Sequence, residues 1–487
     1  MALSRQRMLN AFVSRDRRFD GRFLTGVVTT GIYCLPSCSA RKPRPENVRF
    51  YQCLEQAEAA GFRACRRCRP DRFYQGEDPD RSRLEAQVAE LVRDPSAIGS
   101  VRALATAIEV GTSKLTELVR HHYHLTPAEL LVRLRVARAC RLLVETQRSA
   151  AEIAFDVGFG GLSSFGKNVR RITCMTPSGL RALRHADRFV LALPLWLAIA
   201  PLLRYLGRDA QSLTERVKGH DLCLGVRLGE AQVPARLHVV IESGARARRA
   251  QCRLESAFPM PGDAALQAHR ILLRLFGLGH DPRPFERRSR AEPRMAALVA
   301  RQRGLVVPRT RDVFEGLLWV IAGQQVSLAS AFALRRRLIA RTSTELGDGL
   351  YAPPTAAAVA ALSARELRAL GFSARKATGV LAAATDVTTG NLPLETDFAL
   401  ATRIEPLLLA RAGFGPWSVG YLLMRTWGFA DCVPVGDVAL ARRLAAVYGL
   451  DERPDPAATR AWMMPFSPDR SLATFHLWYQ PPKDQQP

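Results

Sequence analysis

Four cysteines near the start of the chain constrain its folding more than any other feature. Cys34 and Cys38 enclose three residues, Cys65 and Cys68 enclose two, and twenty-six residues separate the pairs. Two short-spaced thiol pairs match the ligand spacing of a tetrahedral zinc site. The other six, Cys53, Cys140, Cys174, Cys223, Cys252 and Cys432, are scattered without such spacing. The first residues carry no apolar leader, so a reducing, cytoplasmic setting and a metal are expected rather than disulfides. Spacing alone leaves two readings open, a closed structural zinc site and a reactive one.

Around this cluster the chain is strongly basic. A length of 487 residues allows two to four domains, and the net charge of +25 at a pI near 10.6 calls for a polyanionic partner, with nucleic acid the default. The charge is densest over the first 75 residues, where 15 basic face 6 acidic side chains. The 47% hydrophobic content is that of a globular chain and excludes a disordered basic tail. The longest apolar run, Phe189–Leu203, is too short to span a bilayer and is broken by Pro194 and Pro201. It reads as a buried strand followed by a helix, and no membrane partner is expected.

A turn-rich acidic linker, Gln75 to Asp80, follows the cysteine segment, and Leu84, Val88, Leu91 and Val92 then recur with helical period. Leu125-Thr126-Pro127 returns fifty residues later as Met175-Thr176-Pro177. Each copy closes a helix, a Gly-containing turn and a second helix, which makes a tandem helix-turn-helix. Recognition helices are expected near Thr112–His122 and Leu162–Arg171, with Ser113, Lys114, Glu117, Ser163, Ser164 and Lys167 facing bases. The bland alternative is a remnant that only tethers its neighbours. His121, His122 and His124 read as a solvated helix end rather than a metal box. Residues 189–285 mix short apolar runs with basic turns, an α+β pattern. From Glu292 to about Tyr479 the chain has the Ala/Leu-rich period of an all-α unit, and the tail Pro481–Pro487 is polar.

The residues around the thiols narrow the choice. Thr29-Thr30-Gly31-Ile32-Tyr33-Cys34-Leu35-Pro36-Ser37-Cys38-Ser39-Ala40-Arg41, Glu46-Asn47-Val48 and Gly61-Phe62-Arg63-Ala64-Cys65-Arg66-Arg67-Cys68 resemble the N-terminal domain of the Ada alkylation-response family. The resemblance implies one zinc ion on Cys34, Cys38, Cys65 and Cys68, with Cys34 accepting a methyl group from a DNA methylphosphotriester. It also implies phosphate contacts at Thr30, Arg41 and Arg63, while Ser39 stands where a third basic contact is usual. Zinc keeps thiols ionised at neutral pH. Four thiolates on Zn²⁺ carry −2, and methylation of one leaves −1, so repulsion of DNA falls and affinity rises. Residues 84–184, with the Gly158-Phe159 turn, resemble AraC-type DNA-binding domains.

Near the other end, Gly413-Phe414-Gly415 precedes Pro416, a turn that lets backbone N–H groups reach a phosphate at a helix N-terminus. With Trp417, Tyr421, Asp437, Gly323-Gln324-Gln325-Val326-Ser327, Arg470-Ser471-Leu472-Ala473 and His476-Leu477-Trp478 it resembles the AlkA family of alkylbase DNA glycosylases over residues 188–480. The resemblance implies a catalytic carboxylate at Asp437 and a pocket for a flipped base at Trp417 and Tyr421. It implies phosphate contacts at Gly413, Gly415 and Ser418, and a duplex wedge at Gln325. A carboxylate stabilises the positive charge that builds on the sugar as an N-glycosidic bond breaks. An alkylated purine is already cationic and stacks well on aromatic faces. No Lys stands at Trp417, so no Schiff base is expected. With Cys432 alone in that half's helical part, no iron–sulfur cluster is expected. Asp469 stands where the family has Trp, which predicts a second carboxylate in the pocket, close to Asp437.

The sequence therefore predicts a multidomain, mainly α chain. It comprises a small α+β zinc domain (1–76), a tandem helix-turn-helix (81–186), a TBP-like α+β subdomain (188–290) and an all-α helix-hairpin-helix glycosylase domain (291–480). The expected protein is a monomer that acts on double-stranded DNA, both alkylated and promoter, and contacts RNA polymerase. No Pro-Cys-His-Arg acceptor motif occurs, so O⁶-methylguanine repair is not expected. The rivals are a methyl-sensing transcription factor with an inactive glycosylase half, and a glycosylase with a purely structural zinc domain.

Overall fold

The computed structural model describes residues 3–16, 19–38, 40–74 and 78–479. Ser39, most of the acidic linker and the tail Pro481–Pro487 lie outside the described residues. The chain divides into two compact units, residues 1–87 and 88–487.

In the first unit a helix, Arg5–Val13, starts at Ser4, whose hydroxyl accepts Arg7 N at 3.3 Å. A four-stranded sheet follows, in the spatial order Val48–Tyr51, Leu24–Val27, Ile32–Cys34, Arg63–Ala64. Its hairpin turns at Gly31, where φ is +62°. Leu24, Tyr33 and Ala57 are fully buried and fill its small core. The last strand pairs in parallel, Ile32 with Arg63 and Tyr33 with Ala64. That pairing carries Cys65 and Cys68 to the strand end that Cys34 occupies.

The second unit contains the expected repeat. Helix Thr112–Tyr123 and helix Leu162–Thr173 end in left-handed residues, His124 and Cys174. Each is followed by a Thr-Pro start: Thr126 caps Pro127–Glu145 and Thr176 caps Pro177–Arg181. Glu129 joins the two copies, accepting from Arg133 at 2.7 Å and Arg171 at 2.9 Å.

The apolar run after Arg188 is a strand, Arg188–Leu193, then a helix, Ile199–Leu206. The strand opens a five-stranded antiparallel sheet, in the order Arg188–Leu193, Arg248–Glu255, Val233–Ser243, Asp221–Leu228, Glu215–Lys218. Alternate residues of Arg188–Leu193 are buried, the period of a half-covered sheet. A buried ionic link ties the sheet to the helical part. Arg311 donates to Glu215 at 2.7 Å and Glu315 at 2.5 Å, and Arg335 reaches Glu315 at 3.1 Å. Burial alone would raise the Glu215 carboxyl, but Arg311 and Arg335 draw it down to about 2. The helical part packs around Val313–Gly323, which is buried on nearly every side. None of the described helices is long and apolar enough to cross a membrane.

Two predictions follow from this packing. Gly304 has φ +75°, and a Cβ there would run into the Trp196 carbonyl oxygen. Gly304→Ala should lower the unfolding free energy by about 2 kcal/mol or more, read as a shifted urea midpoint. His269 and His476 are 2% and 0% exposed, and burial holds them neutral, down to about 4 and about 3. A depressed folded pKa gives stability that is present above the unfolded value and lost below it. The urea midpoint should therefore fall as pH drops from about 6.5 towards 4, and less so in His476→Gln.

Candidate functional site

Strand pairing assembles the cysteine cluster. Cys34 ends its strand opposite Thr25, Cys38 N donates to Leu35 O at 3.1 Å, and Cys65 N donates to Tyr33 O at 3.0 Å. The four Sγ atoms lie within 4.8 Å of one another. Cys34, Cys38 and Cys65 are buried. Leu35 N donates to Cys68 Sγ at 3.4 Å. Lys42 Nζ donates to Cys38 O at 3.0 Å and sits 3.7 Å from the Phe12 ring centroid. Such close thiols share protons: a hydrogen bond with Cys34 draws Cys38 down to about 7, and the same contact pushes Cys34 up. A sulfur-preferring dication relieves this competition, and a zinc tetrahedron with Zn–S near 2.3 Å sets sulfurs about 3.8 Å apart. The donor set fits zinc. Thr30, Arg41 and Arg63 are exposed, and Arg63 N donates to Gly31 O at 2.8 Å, which places Arg63 beside the Thr30 turn.

The second site centres on Asp437. It caps helix Val438–Tyr448, and its Oδ1 accepts Leu440 N at 2.7 Å. Two indoles complete the shell: Trp417 Nε1 donates to Oδ2 at 2.8 Å and Trp478 Nε1 to Oδ1 at 3.0 Å. Trp417 and Tyr421 lie 6.0 Å apart and Tyr421 and Trp478 6.1 Å apart, each pair tilted by about 40° or less, so three rings form one aromatic wall. Behind Tyr421, Arg425 is buried and donates to the Tyr205 hydroxyl, and Arg208 stacks 3.9 Å over Tyr205. Sequence reasoning missed Tyr205, Arg208 and Arg425, for which no spacing signal exists. It left Trp478 unassigned, although the residue ends the His476-Leu477-Trp478 motif.

The hairpin keeps its expected shape. Gly413 has φ +86° and Gly415 precedes helix Pro416–Leu422. Ser418 is buried, and its hydroxyl accepts Gln324 Nε2 at 3.2 Å. The same amide donates to Gly413 O at 2.9 Å and fixes the loop that carries Gln325, which is exposed with φ +55°.

Two readings are corrected. Asp469 does not stand in the base pocket. It is 4% exposed, accepts from His280 Nε2 at 3.2 Å and pairs with Arg288. It begins the helix whose last residue is Trp478, nine positions and about 13 Å further on, and there Trp478 supplies the ring. The three histidines are not a solvated helix end. His121 is exposed, but His122 is 1% exposed with Nδ1 2.6 Å from Thr402 Oγ1. His124 Nδ1 accepts Asp431 N at 3.0 Å, its ring is 5.1 Å from Phe429, and burial lowers it to about 4. The helix end is packed against the glycosylase-like half. Ser113, Glu117, Ser163, Ser164 and Lys167 are exposed, and Lys114, half-buried, pairs with Glu117 at 3.2 Å.

Three family models match separate segments of the chain. Residues 7–71 match the metal binding domain of Ada, residues 104–182 a helix-turn-helix domain, and residues 318–468 the HhH-GPD superfamily of base excision DNA repair proteins. Ada of Escherichia coli K12, named a bifunctional transcriptional activator/DNA repair enzyme, is 30% identical over 35% of this chain and 47% of its own. A 3-methyladenine DNA-glycosylase from Archaeoglobus fulgidus is similar in fold over 60% of this chain and 97% of its own, with TM-score 0.52 and 20% identity. A Mycobacterium tuberculosis protein named probable bifunctional transcriptional activator/DNA repair enzyme AlkA is 30% identical over 97% of this chain and 96% of its own length. With likeness running through both sites and nearly end to end, the chain belongs to the family of bifunctional transcriptional activator/DNA repair enzymes AlkA.

Proposed function

We propose that the chain repairs alkylated DNA at two separate sites and reports the damage through its helix-turn-helix. The division that supports this reading is 1–76, 81–186, 188–290 and 291–480. The observation that carries it is the Asp437 carboxylate, held by two indole N–H groups beside an aromatic wall.

At the first site Cys34 accepts a methyl group from a DNA methylphosphotriester. The methyl carbon–oxygen bond breaks, a carbon–sulfur bond forms at Sγ, and the phosphodiester anion leaves. One zinc ion held by Cys34, Cys38, Cys65 and Cys68 would keep the thiols ionised at neutral pH. Arg63 and Arg41 hold the phosphates, with Thr30 beside them, and Lys42 fixes the Cys38 carbonyl. Loss of one thiolate charge lowers repulsion of DNA and raises promoter affinity.

At the second site a flipped alkylated purine such as 3-methyladenine stacks on Trp417, Tyr421 and Trp478. Asp437 faces the sugar carbon as the N-glycosidic bond breaks and stabilises its developing positive charge. Water then completes the hydrolysis, and the strand stays uncut because no Lys stands at Trp417. Gly413 and Gly415 offer backbone N–H groups to a phosphate, and Gln325 fills the gap in the duplex. The reading includes a monomeric cytoplasmic protein, without an iron–sulfur cluster, that recruits RNA polymerase at promoters.

Three results test this. Elemental analysis should find one zinc per chain, largely lost in the double variant Cys65→Ser/Cys68→Ser. Mass spectrometry after exposure to methylated DNA should find one added methyl on the Cys34 peptide; a methyl on Cys38 contradicts the assignment. Asp437→Asn should release 3-methyladenine on the order of 10²-fold more slowly. One amide oxygen cannot serve both indoles and the helix cap, but circular dichroism should show the fold intact. Wild-type protein that releases no base from methylated DNA sinks the glycosylase reading.

A further inference from the structure

The helix-turn-helix and the glycosylase-like half of the second unit enclose a cavity of about 390 Å³. One wall is Arg133, Val136, Ala137 and Cys140 of helix Pro127–Glu145; the other includes Arg274, Arg309, Trp427 and Leu472. The volume is that of a small-molecule site, and apolar walls with a few polar groups are its usual lining.

Its charges are unbalanced. Arg133 is neutralised by Glu129 at 2.7 Å. Arg274 spends its guanidinium on neutral acceptors, Thr310 O at 3.0 Å, Thr396 Oγ1 at 2.5 Å and Thr426 O at 2.8 Å. Arg309 has one long contact, to Trp427 O at 3.5 Å, and no ion pair among the described residues. Burial and the nearby Arg274 push it down to about 9. Arg270 adds a further positive charge at the rim. Glu395 and Asp397 also line the space; Asp397 offsets part of the charge on Arg309 and Arg274, and Glu395 part of that on Arg274, which leaves the lining arginines in excess. Arg309 is half-buried and without an ion pair among the described residues, and a guanidinium so placed gains a charge-assisted hydrogen bond when an anion binds.

We propose that this cavity binds a small amphiphilic organic anion. Its carboxylate or phosphate head lies on Arg309 and Arg274, and its apolar body lies against Val136, Ala137 and Leu472. The ligand touches both halves, so its occupancy clamps the helix-turn-helix to the glycosylase. The cavity lining does not include Asp437 or its aromatic wall.

The test is calorimetric titration of the full chain with octanoate, hexyl phosphate, inorganic phosphate and octan-1-ol. Octanoate or hexyl phosphate should bind saturably at one site per chain, and the tighter of the two names the head group. Arg309→Met should weaken that binding about tenfold or more. Ala137→Trp, which fills the cavity from the helix-turn-helix side, should abolish it. Should Arg309→Met fail to fold by circular dichroism, Ala137→Trp and the octan-1-ol comparison decide alone. Octan-1-ol binding as tightly as octanoate, inorganic phosphate matching hexyl phosphate, or affinity unchanged in either variant overturns the proposal. So does displacement of the anion by a short undamaged duplex, which would assign the arginines to the DNA backbone.

Discussion

The carboxylate of Asp437 is the point on which three elements of the second unit converge. It caps its own helix through Leu440 N, takes an indole hydrogen from Trp417 on the hairpin helix, and takes another from Trp478 on the closing helix. Hydrogen bonds to a charged acceptor are among the stronger ones available to a protein. Here they serve orientation as much as stability. Each oxygen has a directed donor, so the carboxylate has one rotamer, and each indole is fixed in plane by the oxygen it serves. The aromatic wall and the charge are therefore positioned by the same contacts. Gln324 extends the arrangement to the surface, because one amide holds both the hairpin glycine and Ser418.

The cysteine site is built differently. Its hydrophobic core, built on Leu24, Tyr33, Leu35 and Ala57, is small, and so small a unit buries too little apolar surface to be more than marginally stable on that alone. What brings the two cysteine pairs together is one short parallel ladder, Ile32–Arg63 and Tyr33–Ala64. A ladder of two residue pairs is weak by itself. A sulfur-bound cation would contribute folding free energy at the place where the backbone contributes least.

Legibility in the sequence followed the range of the interaction. The cysteine ligands are local pairs with fixed spacing, and the Thr-Pro repeat marks helix starts that Thr126 and Thr176 do cap. Trp417, Tyr421 and Asp437 lie within one short stretch and meet in space. Asp469 was misplaced because chain adjacency to the closing helix says nothing of which end of that helix reaches the pocket. Its neighbours His280 and Arg288 come from a segment some 180 residues earlier, beyond any periodic signal. The histidines failed for a related reason. A basic, polar helix end reads as solvated unless the partner surface is known, and Thr402, Phe429 and Asp431 lie far along the chain.

Those histidines show how a repeated motif can be used twice. His124 and Cys174 hold the same place in the two copies, each in the left-handed region just past the copy's second helix. A left-handed residue turns the chain sharply and leaves its side chain and carbonyl pointing off the helix axis. The first copy uses the side chain: His124 Nδ1 accepts Asp431 N. The second copy uses backbone: Cys174 O accepts Ala192 N at 2.8 Å, and the adjacent Thr173 O accepts His269 Nε2 at 2.8 Å. Both helices are thus fastened to the glycosylase-like half by their C-terminal corners. Their residues Ser113, Glu117, Ser163, Ser164 and Lys167 stay exposed. Asp431 carries the first fastening inward, since its carboxylate is held by Arg470 and Ser467 and its chain leads directly to Asp437. Movement of helix Thr112–Tyr123 must therefore either break the His124–Asp431 hydrogen bond or displace the segment that leads to Asp437.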